Sequence, residues 1–204
     1  MHYDCVPLDH RIILDLVEPG ATVLDLGCGS GELLYLLARE KKARCQGIEI
    51  DDQAIYDCVA RGLCVFHGDI DAGLEDYTDK SFDYVILNQS LQQVRKLEAV
   101  LSQSLRVGKK VIIGFPNFGY YTSRAQIFFR GRTPVTPSLP YEWYDTPNLH
   151  FLSIFDFINY CRKKGITIEQ AFFLNREKSI KFLPNLFAQS GLFFISYQHP
   201  IRQP

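Results

Sequence analysis

The sequence predicts an α/β chain: a doubly wound, mostly parallel sheet of seven strands with helices on both faces. Three observations predict it. Short apolar runs alternate with amphipathic segments of helical period from Asp9 to Phe115. A glycine-rich turn, Gly27-Cys-Gly-Ser-Gly31, follows the first apolar run directly and opens a helical segment. The next three runs end in Glu49, Asp69 and Asn88, each a polar side chain at a strand exit.

Each element follows from its own residues. Asp9 to Val17 places Ile12, Ile13, Leu16 and Val17 on one helical face, and Pro19-Gly20 stops the helix. Thr22 to Leu26 is the apolar, β-branched pattern of a buried strand. Gly27, Gly29 and Gly31 turn the chain, and Glu32 to Arg39 reads as helix. Ala43 to Ile50 is the second strand. Asp52 is placed to cap a helix through Ala60, with Gly62 as its stop. Leu63 to His67 and Phe82 to Leu87 are the third and fourth strands. Leu97 to Leu105 is the next helix, and Val107 to Phe115 contains the fifth strand.

After Pro116 the pattern changes. The segment 117–150 holds Pro134, Pro137, Pro140, Pro147 and many aromatics. Tyr120 to Arg130 reads as a short helix and the rest as an irregular excursion over the surface, the kind of long loop that tends to carry function. Ser153 caps a helix through Lys164, ended by Gly165. Ile166 to Leu174 and Leu192 to Gln198 are the last two strands, and Arg176 to Lys181 is a solvated connection. Residues 1–204 form one domain, with 117–150 as an aromatic, proline-rich insertion or lid segment after the fifth strand.

Composition sets outer limits. Apolar residues make up 47 % and charged residues 22 %, enough apolar material to bury a full sheet. The net charge of -1 gives no global attraction for nucleic acid, so that class of partner is not expected. Cys5, Cys28, Cys45, Cys58, Cys64 and Cys161 form no Cys-x-x-Cys pair and no Cys/His cluster of zinc spacing. They are expected to be reduced thiols in a cytoplasmic protein. No basic start precedes an apolar run, and no apolar stretch reaches the ~20 residues of a spanning helix, so neither a signal peptide nor a membrane span is expected.

The strand ends carry the chemistry. In a doubly wound sheet, ligands bind beyond the carboxyl ends of the strands, where strand order reverses. Gly27 and Gly29 remove Cβ atoms there, and Cys28 lies between them. Gly31 lets the following helix pack closely on its strand, with unpaired N–H groups at its start. Asp25 adds negative charge where a dinucleotide would place its pyrophosphate, so it opposes NAD and suits a ligand with an ammonium group. Glu49 is placed to accept from ribose hydroxyls. Asp69 is placed to accept from an adenine amine, Ile50 and Ile70 to sandwich the purine, and Asn88 to face an amino-acid tail. Each also has a plainer role. Asp25, Asp51 or Asp52 could cap helices, Asp69 and Asp71 could serve turns, and Asn88 could hold its loop.

These residues resemble the S-adenosylmethionine-dependent methyltransferases of the doubly wound, Rossmann-like type over residues 21 to about 115. Four blocks narrow the resemblance to the MetW family of methionine biosynthesis proteins. They are Leu26-Gly-Cys-Gly-Ser-Gly-Glu-Leu-Leu34, Gly47-Ile-Glu-Ile-Asp51, Leu87-Asn-Gln-Ser-Leu-Gln92 and the block from Gly131 to His150. The resemblance implies a cytoplasmic bacterial protein. It implies S-adenosylmethionine or S-adenosylhomocysteine at Asp25, Gly27, Gly29, Glu49, Asp69 and Asn88. It also implies association with the homoserine O-acyltransferase MetX, whose activity such proteins support. Two departures stand out. The fourth strand ends Asn88-Gln89-Ser90, not in the Asn-Pro-Pro-Tyr box of amino methyltransferases, and no general base is evident. Methyl transfer to a small molecule remains the alternative activity, since it can run by proximity and orientation alone.

Within 117–150, Tyr120, Tyr121, Phe128, Phe129, Tyr141, Trp143 and Tyr144 accompany Arg124, Arg130 and Arg132, the residue types of binding hot spots. Trp143, Tyr144 and Arg132 are the candidates for partner recognition. Phe128, Phe129 and some tyrosines are expected to pin the loop to its own domain. His150 is a candidate base or, more plainly, a structural residue.

Overall fold

The computed structural model describes residues 6–197; Cys5 and the predicted strand end at Gln198 lie outside the described residues. The first helix, α1, is Leu8–Leu16. Strand β1 is Thr22–Leu26, as predicted, followed by α2, Glu32–Glu40. Then come β2, Arg44–Glu49, α3, Asp52–Ala60, and β3, Val65–His67. Strand β4 is Phe82–Asn88, α4 is Leu97–Val107 and β5 is Gly108–Pro116. Helix α5, Tyr121–Arg130, opens the aromatic segment, and α6, Ile154–Lys164, closes it. The chain ends with β6, Thr167–Asn175, β7, Lys178–Ser179, α7, Pro184–Phe187, and β8, Ser190–Ser196.

The strands form one sheet in the order β3-β2-β1-β4-β5-β8-β6-β7. The pairs among β1 to β5 are parallel, and β8 runs antiparallel between β5 and β6. Among the described residues the strands number eight, not the expected seven. The addition is β7, which folds back on β6 through Leu174–Ser179 and Asn175–Lys178. Arg176 to Lys181 is therefore a tight hairpin and not only a solvated connection. Its residues are too polar to signal a strand, and pairing with β6 supplies the backbone partners. Helix α7 was also unforeseen; Pro184 opens it at the first turn, where a missing N–H costs nothing.

Side chains alternate across the strands, so each strand feeds two cores. On one face, Leu24, Leu26, Val85, Leu87, Val111 and Ile113 pack beneath α4 and α6. On the other, Val23, Tyr84, Ile86 and Ile112 pack beneath α1 and α2. The strands β1, β4 and β5 are buried on both faces, which explains their near-continuous apolar runs. Asn117, wholly buried just after β5, ties the C-terminal half together. Its Nδ2 donates to the carbonyls of Asn185 and Ala188, and its Oδ1 accepts from the Gly119 and Ile154 amides.

Two predicted caps can be checked. Asp51, not Asp52, caps α3, its Oδ1 accepting from the Ala54 amide at 2.8 Å. The helix therefore begins one residue earlier than a cap at Asp52 would give. Ser153 caps α6: its Oγ accepts from the Asp156 amide and its own amide donates to Asp156 Oδ2, as expected for this spacing.

Close packing at the sheet's centre gives a first prediction. A Cβ on Gly114 of β5 would lie 2.1 Å from Asn88 Oδ1 and 3.2 Å from Leu192 Cδ1. Gly114→Ala is expected to destabilise the fold by about 1–3 kcal/mol, the scale of overpacking. Urea denaturation measures it; an unchanged midpoint would contradict the packing.

Candidate functional site

Strand order reverses between β1 and β4, and the strand ends gather there around a cavity of about 390 Å³. Gly27, Gly29, Glu49, Ile50, Asp69 and Ile70 all line it, so six of the sequence candidates share one space. Its far wall is the loop after β4, with Gln89, Ser90, Gln93, Val94 and Arg95.

The glycine turn is shaped by what crowds it. A Cβ on Gly27 would meet Ser90 Cβ at 2.8 Å, so the β1 and β4 loops touch. Ser90 Oγ seals that contact by donating to the Leu26 carbonyl at 2.6 Å. Gly29 differs. It sits at φ +52°, and its Cβ direction meets nothing within 4 Å. The backbone there borders open space that a side chain would enter.

Glu49 organises the loop. Its Oε2 accepts from the Gly29 amide at 2.8 Å, and its Oε1 accepts from the Ile50 and Asp51 amides at 2.8 and 3.0 Å. A carboxylate has about four lone-pair sites, so three donors leave acceptor capacity toward the cavity. Asp69 Oδ1 accepts from the Asp71 amide at 2.9 Å and starts the short turn that carries Ile70. Asp71 accepts from the Arg95 and Lys96 amides and fixes the far wall. Burial opposes ionisation of Asp71, but those amides outweigh it and hold its carboxyl below the ordinary range.

Three candidates stand apart from the lining. Asp25 is 3 % exposed at the end of β1. Burial, and behind it the charge of Glu49, raise its pKa to about 7. Cys28 turns its side chain away, under the loop against Leu34 and Cys58. Burial and then the Asp25 charge push its thiol far up, so it serves as packing. Asn88 faces neither the cavity nor a tail: its Nδ2 donates to Asp9 Oδ2 at 2.9 Å, tying β4 to α1, and its Oδ1 is pressed on Gly114. The plainer reading, an amide that holds its own loop, is not what this bond does either: it joins β4 to α1.

The segment 117–150 is fastened to the cavity's wall. The Leu149 and His150 amides donate to the Gln92 carbonyl at 2.8 and 3.0 Å, and His150 Nε2 bonds the Val94 carbonyl at 2.9 Å. That bond makes His150 a structural residue. Among the described residues, none of the cavity's lining comes from 117–150. Trp143 and Tyr144 are each 71 % exposed, and Arg132 shares a cleft of about 670 Å³ with Arg130, Glu142 and Trp143. Phe128 and Phe129, expected as pins, are 82 % and 80 % exposed. Gln126 does the pinning instead, exchanging two hydrogen bonds with Val135. An amide's role of this kind leaves no periodic signal in sequence.

Comparisons with known proteins agree with this architecture. An S-adenosylmethionine-dependent methyltransferase from Thermotoga maritima superimposes with a TM-score of 0.65 and 18 % identity, over 94 % of this chain and 88 % of that one. One from Archaeoglobus fulgidus gives 0.62 and 19 %, over 91 % and 90 %. The likeness defines the class: this is the Rossmann-like fold of the S-adenosylmethionine-dependent methyltransferases. The family follows from sequence. The model described as methionine biosynthesis protein MetW matches residues 7–195. The chain is also 33 % identical over 187 residues to the bifunctional methionine biosynthesis protein MetXA/MetW of Rhodopirellula baltica, covering 87 % of this chain and 30 % of that protein. The chain belongs to the MetW family. It spans about a third of the length of the curated relatives it matches. No described helix is long and apolar enough to cross a membrane.

Asp25 yields a prediction with a definite sign. Its carboxyl binds a proton more readily in the folded chain, with a pKa of about 7 against 3.8 unfolded. Its contribution to stability is therefore full below pH 3.8 and is lost as pH rises through about 7. Relative to Asp25→Asn, the wild-type chain should lose stability across that window, measured by urea unfolding at a series of pH values. A difference independent of pH would contradict the assignment.

Proposed function

We propose that this chain binds S-adenosylmethionine or S-adenosylhomocysteine in the cavity at the β1–β4 reversal and acts as a regulatory partner of a homoserine O-acyltransferase of the MetX type. The observation that carries the ligand half is the shared cavity of Gly27, Gly29, Glu49, Ile50, Asp69 and Ile70. The open Cβ direction at Gly29 suits a closely approaching ligand, and the spare acceptor sites of Glu49 suit a ribose. Asp69 would accept from the adenine amine, and Ile50 and Ile70, which line the same cavity, would flank the ring. Asp25, buried behind the loop, supplies a carboxylate for an ammonium group, directly or through water. When bound, S-adenosylmethionine supplies an electrophilic methyl carbon on a sulfonium.

The partner half rests on a relative that bears both names in one chain, MetXA and MetW. The exposed Trp143, Tyr144 and Arg132 are the recognition surface. The bonds from Leu149 and His150 to the Gln92–Val94 loop give the ligand a mechanical link to that surface. Such a protein is expected in the bacterial cytoplasm. A second reading, methyl transfer to a small acceptor, is supported by the same ligand constellation. Transfer of labelled methyl to a component of a metabolite extract would establish it.

Two outcomes test the main reading. In calorimetry with S-adenosylhomocysteine, Gly29→Val should abolish binding and Glu49→Ala should weaken it by about 1–3 kcal/mol, the scale for a charged hydrogen-bond partner. Unchanged affinity in both would remove the site. In pull-downs with the acyltransferase, Trp143→Ala with Tyr144→Ala should weaken capture at least about ten-fold, as loss of aromatic anchors does. Capture equal to wild type would place the partner elsewhere.

A further inference from the structure

A second cavity, of about 350 Å³, lies on the other side of Gln89 from the first. Segments far apart in sequence build it: Asp9 of α1, Gln89 after β4, Ser138 of the aromatic segment, Arg176 and Glu177 of the β6–β7 turn, and Gln189 before β8. We propose that this cavity is a binding site for a small zwitterion of the α-amino-acid class.

The charges select that class. Asp9 is held in place, its Oδ2 accepting from Asn88 Nδ2 and its Oδ1 from the His10 amide, both at 2.9 Å. Two bonds leave lone pairs for an ammonium group. Glu177 is paired with Arg11. Arg176 is in no ion pair among the described residues, and its planar donor fork suits a carboxylate. A bare phosphate would meet two carboxylates beside one guanidinium. A simple cation would meet the guanidinium. A molecule carrying both charges satisfies both ends. The remaining walls are mixed, with Ser138, Gln89 and Gln189 polar and Pro7, Leu8, Pro137 and Leu174 apolar, and they suit a short side chain beside the two charged groups.

Backbone strain falls at the same place. Gln89, at φ +62°, and Arg176, at φ +52°, are both non-glycine residues in the left-handed region, and both line this cavity. At Arg176 the two-residue β6–β7 hairpin requires this conformation, and it fixes where the guanidinium leaves the backbone. Gln89 is held by three contacts. Its amide donates to the Gly114 carbonyl at 2.8 Å, and its carbonyl accepts from the Gln92 and Gln93 side chains. It lines both cavities, so an occupant of the second touches a wall of the first.

The test is titration calorimetry with the free amino acids. Any that binds is compared with its methyl ester, which lacks the carboxylate, and its N-acetyl form, which lacks the ammonium. At least one free amino acid should bind. Each capped form, and each of Arg176→Gln and Asp9→Asn, should weaken it by about ten-fold or more, the scale of a lost charged hydrogen bond. Arg176 is exposed, so its replacement leaves the fold intact; thermal melting checks this for both variants. Binding by no amino acid, or an affinity unchanged in Arg176→Gln, overturns the proposal. The inference does not rest on the adenosyl site. Amino-acid binding without S-adenosylhomocysteine binding would sink only the latter.

Discussion

The constraint on which the site depends is the placing of two carboxyl groups at one end of a buried sheet. Asp25 ends β1 with almost no solvent, and Glu49 ends β2 close enough to raise the Asp25 pKa by its charge. Bringing like charges into a desolvated region opposes folding. The structure meets that cost in two ways. Glu49 takes three backbone donors, which satisfy its oxygens and fix the glycine loop. Among the described residues Asp25 has no such donors, and its pKa lies at about 7. The two groups are therefore not equivalent. Glu49 is a structural clamp with spare acceptor sites, and Asp25 is a charge held in reserve.

Much of this was legible in sequence, for physical reasons that can be named. β1 was read to the residue because a strand buried on both faces is mostly apolar, here Val23, Leu24 and Leu26 around the single carboxyl of Asp25, and Thr22 and Gly27 bound it sharply. α6 was read from Ser153 to Gly165 because both caps have chemical signatures. The lining set of Gly27, Gly29, Glu49, Ile50, Asp69 and Ile70 was legible because each follows a strand, and parallel strands bring their ends to one edge.

The misreadings share a cause. Asn88 was expected at the ligand but is taken by Asp9, a residue 79 positions away. Phe128 and Phe129 were expected inside but face out, because α5 is anchored by Tyr120, Gln126 and the capping at Gly131 and needs no further burial. β7 is two residues long and exists only through its pairing with β6. In each case a hydrogen-bonding partner decides the role, 79 positions away for Asn88 and within ten for α5 and β7, and the periodic pattern does not record it. The same holds for Asn117, whose four hydrogen bonds reach residues from 119 to 188.

These long-range contacts also explain how the aromatic segment could respond to a ligand without covering it. A lid acts by direct contact, and this segment contributes nothing to the cavity's lining. It is instead bonded to the outside of the Gln89–Val94 loop, whose inside is the cavity wall. A ligand that biases that loop toward one arrangement therefore biases the backbone at Leu149 and His150, a few residues from Trp143. The loop has little slack: Asp71 holds its far end at Arg95 and Lys96, and Gly114 holds its near end at Gln89. A strained residue pinned at both neighbours transmits displacement better than a free one, since packed elements shift between discrete arrangements and do not bend continuously. Coupling between the sites then requires only that a ligand bind the two arrangements of this one loop unequally.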